Sequence, residues 1–384
     1  MTNANNGGVW RQGLRAWRVW ALCLGLLATG AALGQGRWTR LPFEAGASPS
    51  ARSTPVTVAL EGDVFLFGGV KDDFAAFQNT FFNDLYRFDV RSGTWAPLAP
   101  AGALPPARAF AAGVAVPLRR WVVVFGGSRY EPDFSGFTAY DDLWAYDLGT
   151  RAWRQLRSVT PGPVGRSGPA MWLAGDQLFV FGGIDAGFQP LNDLWRYDLQ
   201  RRAWTLLVPN GAAGSPPPRH VAAVAPGAFA GRLTLYGGET VTEQGFAFLN
   251  DTWRFNLLTQ AWEDVTPAAP RNIDPPRNYG AVAALGDGML LAGGDMPGGS
   301  AGCGSPFEQN PTRELWRFDL HRHAWQQLAP GGDVLPRLKR VNAAQVGGQM
   351  YVFSGFDFAC ENGVGGQVWN TDVYRYTPWG PGGH

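Results

Sequence analysis

The most constraining feature of this chain is a phrase that recurs six times. An Arg follows a Pro- or Gly-rich lead, and an apolar run ends in Gly-Gly. A strand resembling Asp-Leu-Trp-Arg-Tyr-Asp comes next, and then a Trp. The Gly-Gly pairs stand at Gly68-Gly69, Gly126-Gly127, Gly182-Gly183, Gly237-Gly238 and Gly293-Gly294, with a degenerate sixth at Ser354-Gly355. Their spacings are 58, 56, 55, 56 and 61 residues. A period of that size means stacked supersecondary units whose shared surfaces, not one local motif, carry function.

One copy, residues 166–204, reads strand by strand. Small and apolar residues after Arg166 meet a Gly175-Asp176 turn, and Gln-Leu-Phe-Val-Phe follows up to Gly182-Gly183, which makes a hairpin. Residues 193–198 alternate apolar and polar with period two, and residues 203–206 form a fourth run. Four antiparallel strands per copy predict one propeller blade, and the whole chain is then all-β. The blades run over about 45–98, 99–156, 157–207, 208–265, 266–328 and 329–376, inside one domain of residues 35–380. The sixth copy lacks its Trp strand, and Arg37-Trp38-Thr39-Arg40-Leu41 at the other end matches it. The N-terminal strand is therefore expected to close the last blade and remove the open sheet edges. The Gly-Gly pairs are expected where a strand end approaches a neighbouring sheet, and the strand-three and strand-four aromatics between blades.

Glycine (52) and proline (29) are abundant, but they punctuate apolar runs, as turns do in an all-β chain. A formal net charge of +1 with scattered charges gives no basic stripe for nucleic acid. Ahead of the repeats, Arg11, Arg15 and Arg18 precede an apolar stretch over 20–33, and no acid occurs before Glu44. That stretch is short for a membrane span and reads as a secretory signal over residues 1–34, with an uncleaved anchor as the alternative. A secreted or periplasmic protein is expected, without a membrane span once the signal is removed. Cys303 and Cys360 then remain, in equivalent segments of neighbouring copies, and an oxidising compartment would favour a disulfide between them over two buried thiols.

Gly-Gly after an apolar strand, then a Tyr or Trp, then a Trp 22–32 residues on, resembles the kelch repeat, over residues 38–376. The resemblance implies a six-bladed kelch β-propeller with innermost strands around a central channel. It departs at Glu314, where other copies carry Asp84, Asp142, Asp193, Asp251 and Asp372, and at the inserts 295–313 and 356–369. Kelch binding modules often present the Arg that opens each innermost strand at the channel mouth. By position these are Arg52, Arg108, Arg166, Arg219, Arg277 and Arg337, with Arg340 competing for the last place. Converging guanidinium groups would bind carboxylate or phosphate. The opposing reading pairs each Arg with a strand-three Asp of an adjacent blade or with carbonyls.

Segments 70–82, 128–140, 184–191, 239–249, 295–313 and 356–369 hold many Phe and Tyr side chains, which either face a partner or pack on one another. His321 and His323 form an HxH in a turn without a third ligand, so no metal is expected, and no cofactor motif appears. His220, beside Arg219, is the His placed for acid–base work. The favoured function is a non-catalytic, monomeric binding propeller that takes a protein segment or glycan on its loop face. The alternative is an exported sugar-processing enzyme resembling the kelch sialic acid epimerases, with Arg219, Arg277, His220 and Glu239 as candidates.

Overall fold

Six four-stranded antiparallel sheets follow one another in the computed structural model, which describes residues 36–42, 47–133, 135–225, 227–302, 305–361 and 364–378. The proposed signal, Cys303 and the Cys360 side chain lie outside the described residues, and with them the expected disulfide. Blade 1 comprises Val56–Leu60, Asp63–Phe67, Leu85–Asp89 and Thr94–Leu98. Blade 2 comprises Ala112–Val116, Trp121–Phe125, Leu143–Asp147 and Ala152–Gln155. Blade 3 comprises Ala170–Ala174, Gln177–Ile184, Pro190–Asp198 and Ala203–Val208. Blade 4 comprises Ala223–Val224, Arg232–Tyr236, Thr252–Asn256 and Ala261–Asp264. Blade 5 comprises Ala281–Leu285, Gly288–Ala292, Leu315–Asp319 and Ala324–Leu328. Blade 6 comprises Asn342–Val346, Gln349–Phe353, Val373–Thr377 and, from the other end of the chain, Arg37–Leu41.

The closing strand pairs antiparallel from Arg37 opposite Thr377 to Leu41 opposite Val373, and Gly331–Gly332 adds a short parallel strand outside it. First strands touch their neighbours in cyclic order, the sixth against the first, so the sheets form a ring. The first strands carry small apolar residues because six of them converge. They enclose a cavity of about 430 Å³ lined by residues such as Val58, Gly113, Met171, Val224, Val282 and Ala343.

Between blades, one aromatic contact repeats. The strand-four Trp packs on the residue just before Gly-Gly in strand two of the preceding blade: Trp153 on Phe67, Trp204 on Phe125, Trp262 on Phe181 and Trp325 on Tyr236, at centroid distances of 4.8–5.5 Å. Trp95 meets Phe353 of blade 6 in the same way, 5.6 Å away across the ring closure. Trp38 joins the core cluster that holds Ala292, the small residue at the corresponding place in blade 5. It also packs at a tilt against Tyr376 of its own blade at 5.3 Å, as Trp204 does against Tyr197 at 4.9 Å. These rings bury large area at little rotamer cost, as the sequence reading expects.

Gly-Gly serves the same junction. The second glycine donates its N–H to the carbonyl of the Arg that opens the next blade: Gly69 to Arg108 (2.8 Å), Gly127 to Arg166 (2.9 Å), Gly183 to Arg219 (2.8 Å). Gly355 donates to Arg52 at 3.1 Å and closes the circle. The first glycine has positive φ, and a Cβ on Gly182 would stand 2.7 Å from the Arg219 carbonyl oxygen.

The segments between strands two and three are more ordered than loops. In blade 3, strands two and three simply continue past Gly182-Gly183. In the other blades a second hairpin forms, for example Val70–Asp73 with Gln78–Phe81 and Phe356–Glu361 with Val364–Trp369. The insert 295–313 is likewise a hairpin, Asp295–Gly302 with Ser305–Pro311.

Candidate functional site: the channel mouth on the loop face

Five of the Arg residues expected at the mouth are buried instead. Arg52, Arg108, Arg166, Arg219 and Arg277 are each at most 1% exposed. Four of them make the same fork. Arg166 donates from Nη1 to Asp193 Oδ1 (2.7 Å) and to the Gly182 carbonyl (2.9 Å), from Nη2 to Asp193 Oδ2 (3.1 Å), and from Nε to the Val164 carbonyl (3.0 Å). Arg52–Asp84, Arg108–Asp142 and Arg219–Asp251 repeat it. The acid belongs to the same blade, not an adjacent one. The Trp two residues after the acid completes the arrangement: the Trp144, Trp195 and Trp253 indole N–H groups each donate to their acid at 2.7 Å. Burial pushes the Asp142 and Asp251 carboxyls up, but the paired guanidinium outweighs it and holds both below the usual carboxylate range. A buried cation paired with a carboxylate and carbonyls of its own blade is scaffold.

Blade 5 departs at Glu314. The longer side chain turns the fork: Arg277 Nη2 lies 2.8 Å from Glu314 Oε2, and Arg277 Nε and Nη1 have no partner among the described residues. In blade 6 the equivalent of the Arg is Leu338, 1% exposed, whose carbonyl accepts from Gly294 at 2.7 Å. Arg337 is therefore not the sixth member. Its side chain is half exposed and pairs with Asp357 at 3.1 Å. Asp372, deprived of its Arg, takes Arg40 from the closing strand at 2.5 Å.

What lines the mouth lies one and two residues after each Arg. The second position has positive φ in all six blades: Thr54 (50°), Phe110 (56°), Gly168 (63°), Val221 (48°), Tyr279 (52°) and Arg340 (52°). This backbone conformation costs a β-branched residue heavily. It persists because the residues hydrogen-bond from blade to blade: Phe110 to the Thr54 carbonyl (3.3 Å), Gly168 to Phe110 (2.8 Å), Val221 to Gly168 (2.8 Å) and Thr54 to Arg340 (3.1 Å). The Phe110 and Tyr279 rings approach to 6.3 Å, and the Arg340 guanidinium stands 5.2 and 5.6 Å from them. Sequence reading passed over this ring. Gly168 is the single residue among the six whose type announces left-handed backbone.

The first position follows a neighbour rule. It meets the residue after Gly-Gly in the preceding blade: Ser167 with Ser128 (2.8 Å between hydroxyls), Asn278 with Glu239, and Lys339 with Asp295. All six of these side chains are buried. Burial lowers the Lys339 pKa, against the pull of Asp295. His220, 7% exposed, sits beside this set with Nε2 3.4 Å from Glu239 Oε2, and the Tyr279 hydroxyl reaches the same oxygen at 3.4 Å. Burial, then the Glu239 charge, pushes the Tyr279 phenol well up. On the far side, Arg340 Nη1 donates to Asp72 Oδ2 at 2.7 Å, and the Tyr130 hydroxyl donates to Asp72 at 3.1 Å. The floor is thus a set of acids, bases and phenols, of which sequence reading named His220, Glu239 and Arg340.

Above the floor stand the hairpins. Many of their aromatics pack on one another: Phe81 on Tyr130 (4.9 Å), Phe137 on Phe188 (4.4 Å), Phe74 on Phe358 (6.1 Å) and Phe356 on Trp369 (5.0 Å). Among the described residues three are open to water: Phe77 at 64% exposure, Phe246 at 60% and Phe188, despite its contact with Phe137, at 41%. The HxH pair lies elsewhere, at a strand three–four turn. His321 is exposed, and His323 Nε2 is 3.1 Å from Arg254 Nη1, its pKa lowered by burial and then by that Arg.

A family profile described as the KLHDC2/KLHL20/DRC7 Kelch-repeats domain matches residues 29–183 and 78–294. Kelch domain-containing protein 3 of Bos taurus is 26% identical over 306 residues, covering 74% of this chain and 73% of that protein. Leucine-zipper-like transcriptional regulator 1 of Homo sapiens is 28% identical over 303 residues, 77% of this chain and 33% of that protein. Acyl-CoA-binding domain-containing protein 4 of Arabidopsis thaliana is 26% identical over 266 residues, 67% and 37%. With six blades, a repeated Arg–acid fork, an inter-blade Trp and a family match over most of its length, the chain belongs to the kelch-repeat family.

Proposed function

We propose that this propeller is a non-catalytic binding module that takes a protein segment across its loop face. One observation carries the reading. The repeated arginines are consumed by the scaffold, whereas the hairpins that differ from blade to blade hold exposed Phe77, Phe188 and Phe246 around a polar floor. Exposed aromatics around a concave mouth are what a protein contact uses. Export in monomeric form, directed by the basic and apolar pattern of residues 1–34, is part of the proposal; N-terminal sequencing of the exported form should begin near Gln35.

The test is a peptide and glycan binding screen with the wild type and the triple variant Phe77→Ser, Phe188→Ser, Phe246→Ser. Peptide ligands whose binding falls about tenfold or more in the variant support the reading. Glycan ligands alone, or peptide binding indifferent to all three changes, would sink it. One arrangement favours the sugar-processing alternative: His220 and the Tyr279 hydroxyl both meet Glu239. Accelerated anomer exchange of sialic acid, lost in Glu239→Gln, would establish that activity. The buried Arg219 and Arg277 offer it no carboxylate clamp.

A further inference from the structure

The six segments between strands two and three differ in charge from the rest of the chain. Residues 70–82, 128–140, 184–191, 239–249, 295–313 and 356–369 carry eleven Asp or Glu and three Lys or Arg, in a chain that holds 31 and 32 overall. The remainder is correspondingly basic. A surplus of acids reaches solvent: Asp73, Glu131, Asp133, Glu243 and Glu308 are exposed against Lys71, Arg129 and Arg313, while Asp72, Asp295 and Asp357 pair with Arg340, Lys339 and Arg337. Turn formation accounts for part of it, since Asp73, Asp133 and Asp185 accept backbone N–H groups of their own turns. It does not neutralise them, and the glutamates Glu243 and Glu308 hold no turn bond among the described contacts. Arg129, one of the three bases, stands 3.9 Å from Glu131 and offsets little.

The floor supplies an independent sign of a ligand. Asn278, 3% exposed, gives its amide hydrogen to Glu239, and its Oδ1 meets no donor among the described residues. His220, 7% exposed, turns Nε2 to Glu239, and its Nδ1 has no partner among the described residues. The His220 ring lies 5.8 Å from that of Phe246, one of the exposed hairpin aromatics. A buried acceptor without a donor is costly, and a ligand with N–H groups would satisfy it.

We infer that the segment bound by the loop face is basic, presenting Lys or Arg side chains to this acidic, aromatic crown. The inference rests on the binding reading above and adds the chemistry of the partner. The exposed phenylalanine faces would attract ammonium or guanidinium groups, the hairpin carboxylates would form charge-assisted hydrogen bonds with them, and the Asn278 acceptor would receive one of their protons. The field of the crown would also steer a basic segment inward, in a way that salt suppresses.

The experiment compares three fluorescent peptide libraries of equal length and apolar content, bearing Lys and Arg, Asp and Glu, or neither. It uses the mature protein, the variant Glu131→Lys, Glu243→Lys, Glu308→Lys, and a control, Glu263→Lys, on the outer strand of blade 4. All four positions are exposed, so folding is expected to survive. The cationic library should bind best, weaken steeply with salt, and lose about tenfold in affinity with the triple variant but not with the control. Preference for the anionic or neutral library, with Phe77, Phe188 and Phe246 still required, would overturn the basic partner and keep the binding reading. Absence of binding by all three libraries would overturn both.

Discussion

At the residue scale, one motif admits two readings that sequence alone does not separate. An Arg repeated at blade starts reads equally as a ligand clamp or as an internal pair, because the residue type is the same in both. The fork on Asp193 or Asp142, the bond to the first Gly carbonyl, and near-complete burial decide for the internal pair. Arg108→Ala should therefore cost about 3 kcal/mol in urea unfolding, because it strands a largely buried acid. The pH dependence carries the sign. With Arg108 present, the Asp142 pKa is depressed, so its stabilisation is full above the unfolded carboxylate value of about 3.9 and is lost as pH falls through the lower folded value. In Arg108→Ala the guanidinium no longer offsets burial and only hydrogen bonds such as that from Trp144 still lower the pKa, so it should rise and acidification from neutrality should relieve part of the defect. A variant whose deficit is equal at every pH would contradict the pairing. Leu338 and Arg337 show the limit of reading by spacing: a long final interval let Arg337 pass for the repeat position that Leu338 occupies.

At the element scale, the Gly-Gly pair was legible because it combines two needs that glycine alone meets cheaply, left-handed backbone and contact with a neighbouring carbonyl. Gly182→Ala should cost about 1–3 kcal/mol, since its Cβ would stand 2.7 Å from the Arg219 oxygen at a φ of 62°. The converse change is informative. Ser354 holds φ 65° where the other copies have Gly, so Ser354→Gly should raise stability by about 1 kcal/mol. Differential scanning calorimetry of both variants checks the pair, and a stabilised Gly182→Ala would refute the close-approach account. The ring of Thr54, Phe110, Val221, Tyr279 and Arg340 was not legible, since nothing in those residue types signals positive φ. Their strain is imposed by bonds between blades distant in sequence. The hairpins over 70–82 and 356–369 were likewise read as loops, because their strands are short and their alternation is broken by consecutive polar or glycine residues.

At the scale of the whole propeller, closure depends on one strand from the opposite end of the chain. Trp38 supplies the aromatic that every other blade takes from its own fourth strand. Trp38→Ala should cost about 3–5 kcal/mol. Deleting residues 36–42 should leave the edge strand Val373–Thr377 unpaired and promote association, measured by light scattering on a sizing column. A monodisperse monomer of unchanged thermal midpoint would show that the closing strand is dispensable.

The repeat period, the number of blades, the closing strand and the aromatic junctions were determined by the sequence itself. They are local patterns repeated at fixed intervals, and repetition makes a weak signal strong. Only the tertiary structure decided which charges are spent and which are free. The answer depends on side chains some thirty residues apart in one blade, as in Arg166 and Asp193, or on opposite sides of the chain, as in Arg340 and Asp72. The same distance hides the mouth: its floor draws one or two residues from each blade, and no stretch of sequence contains enough of them to read as a site.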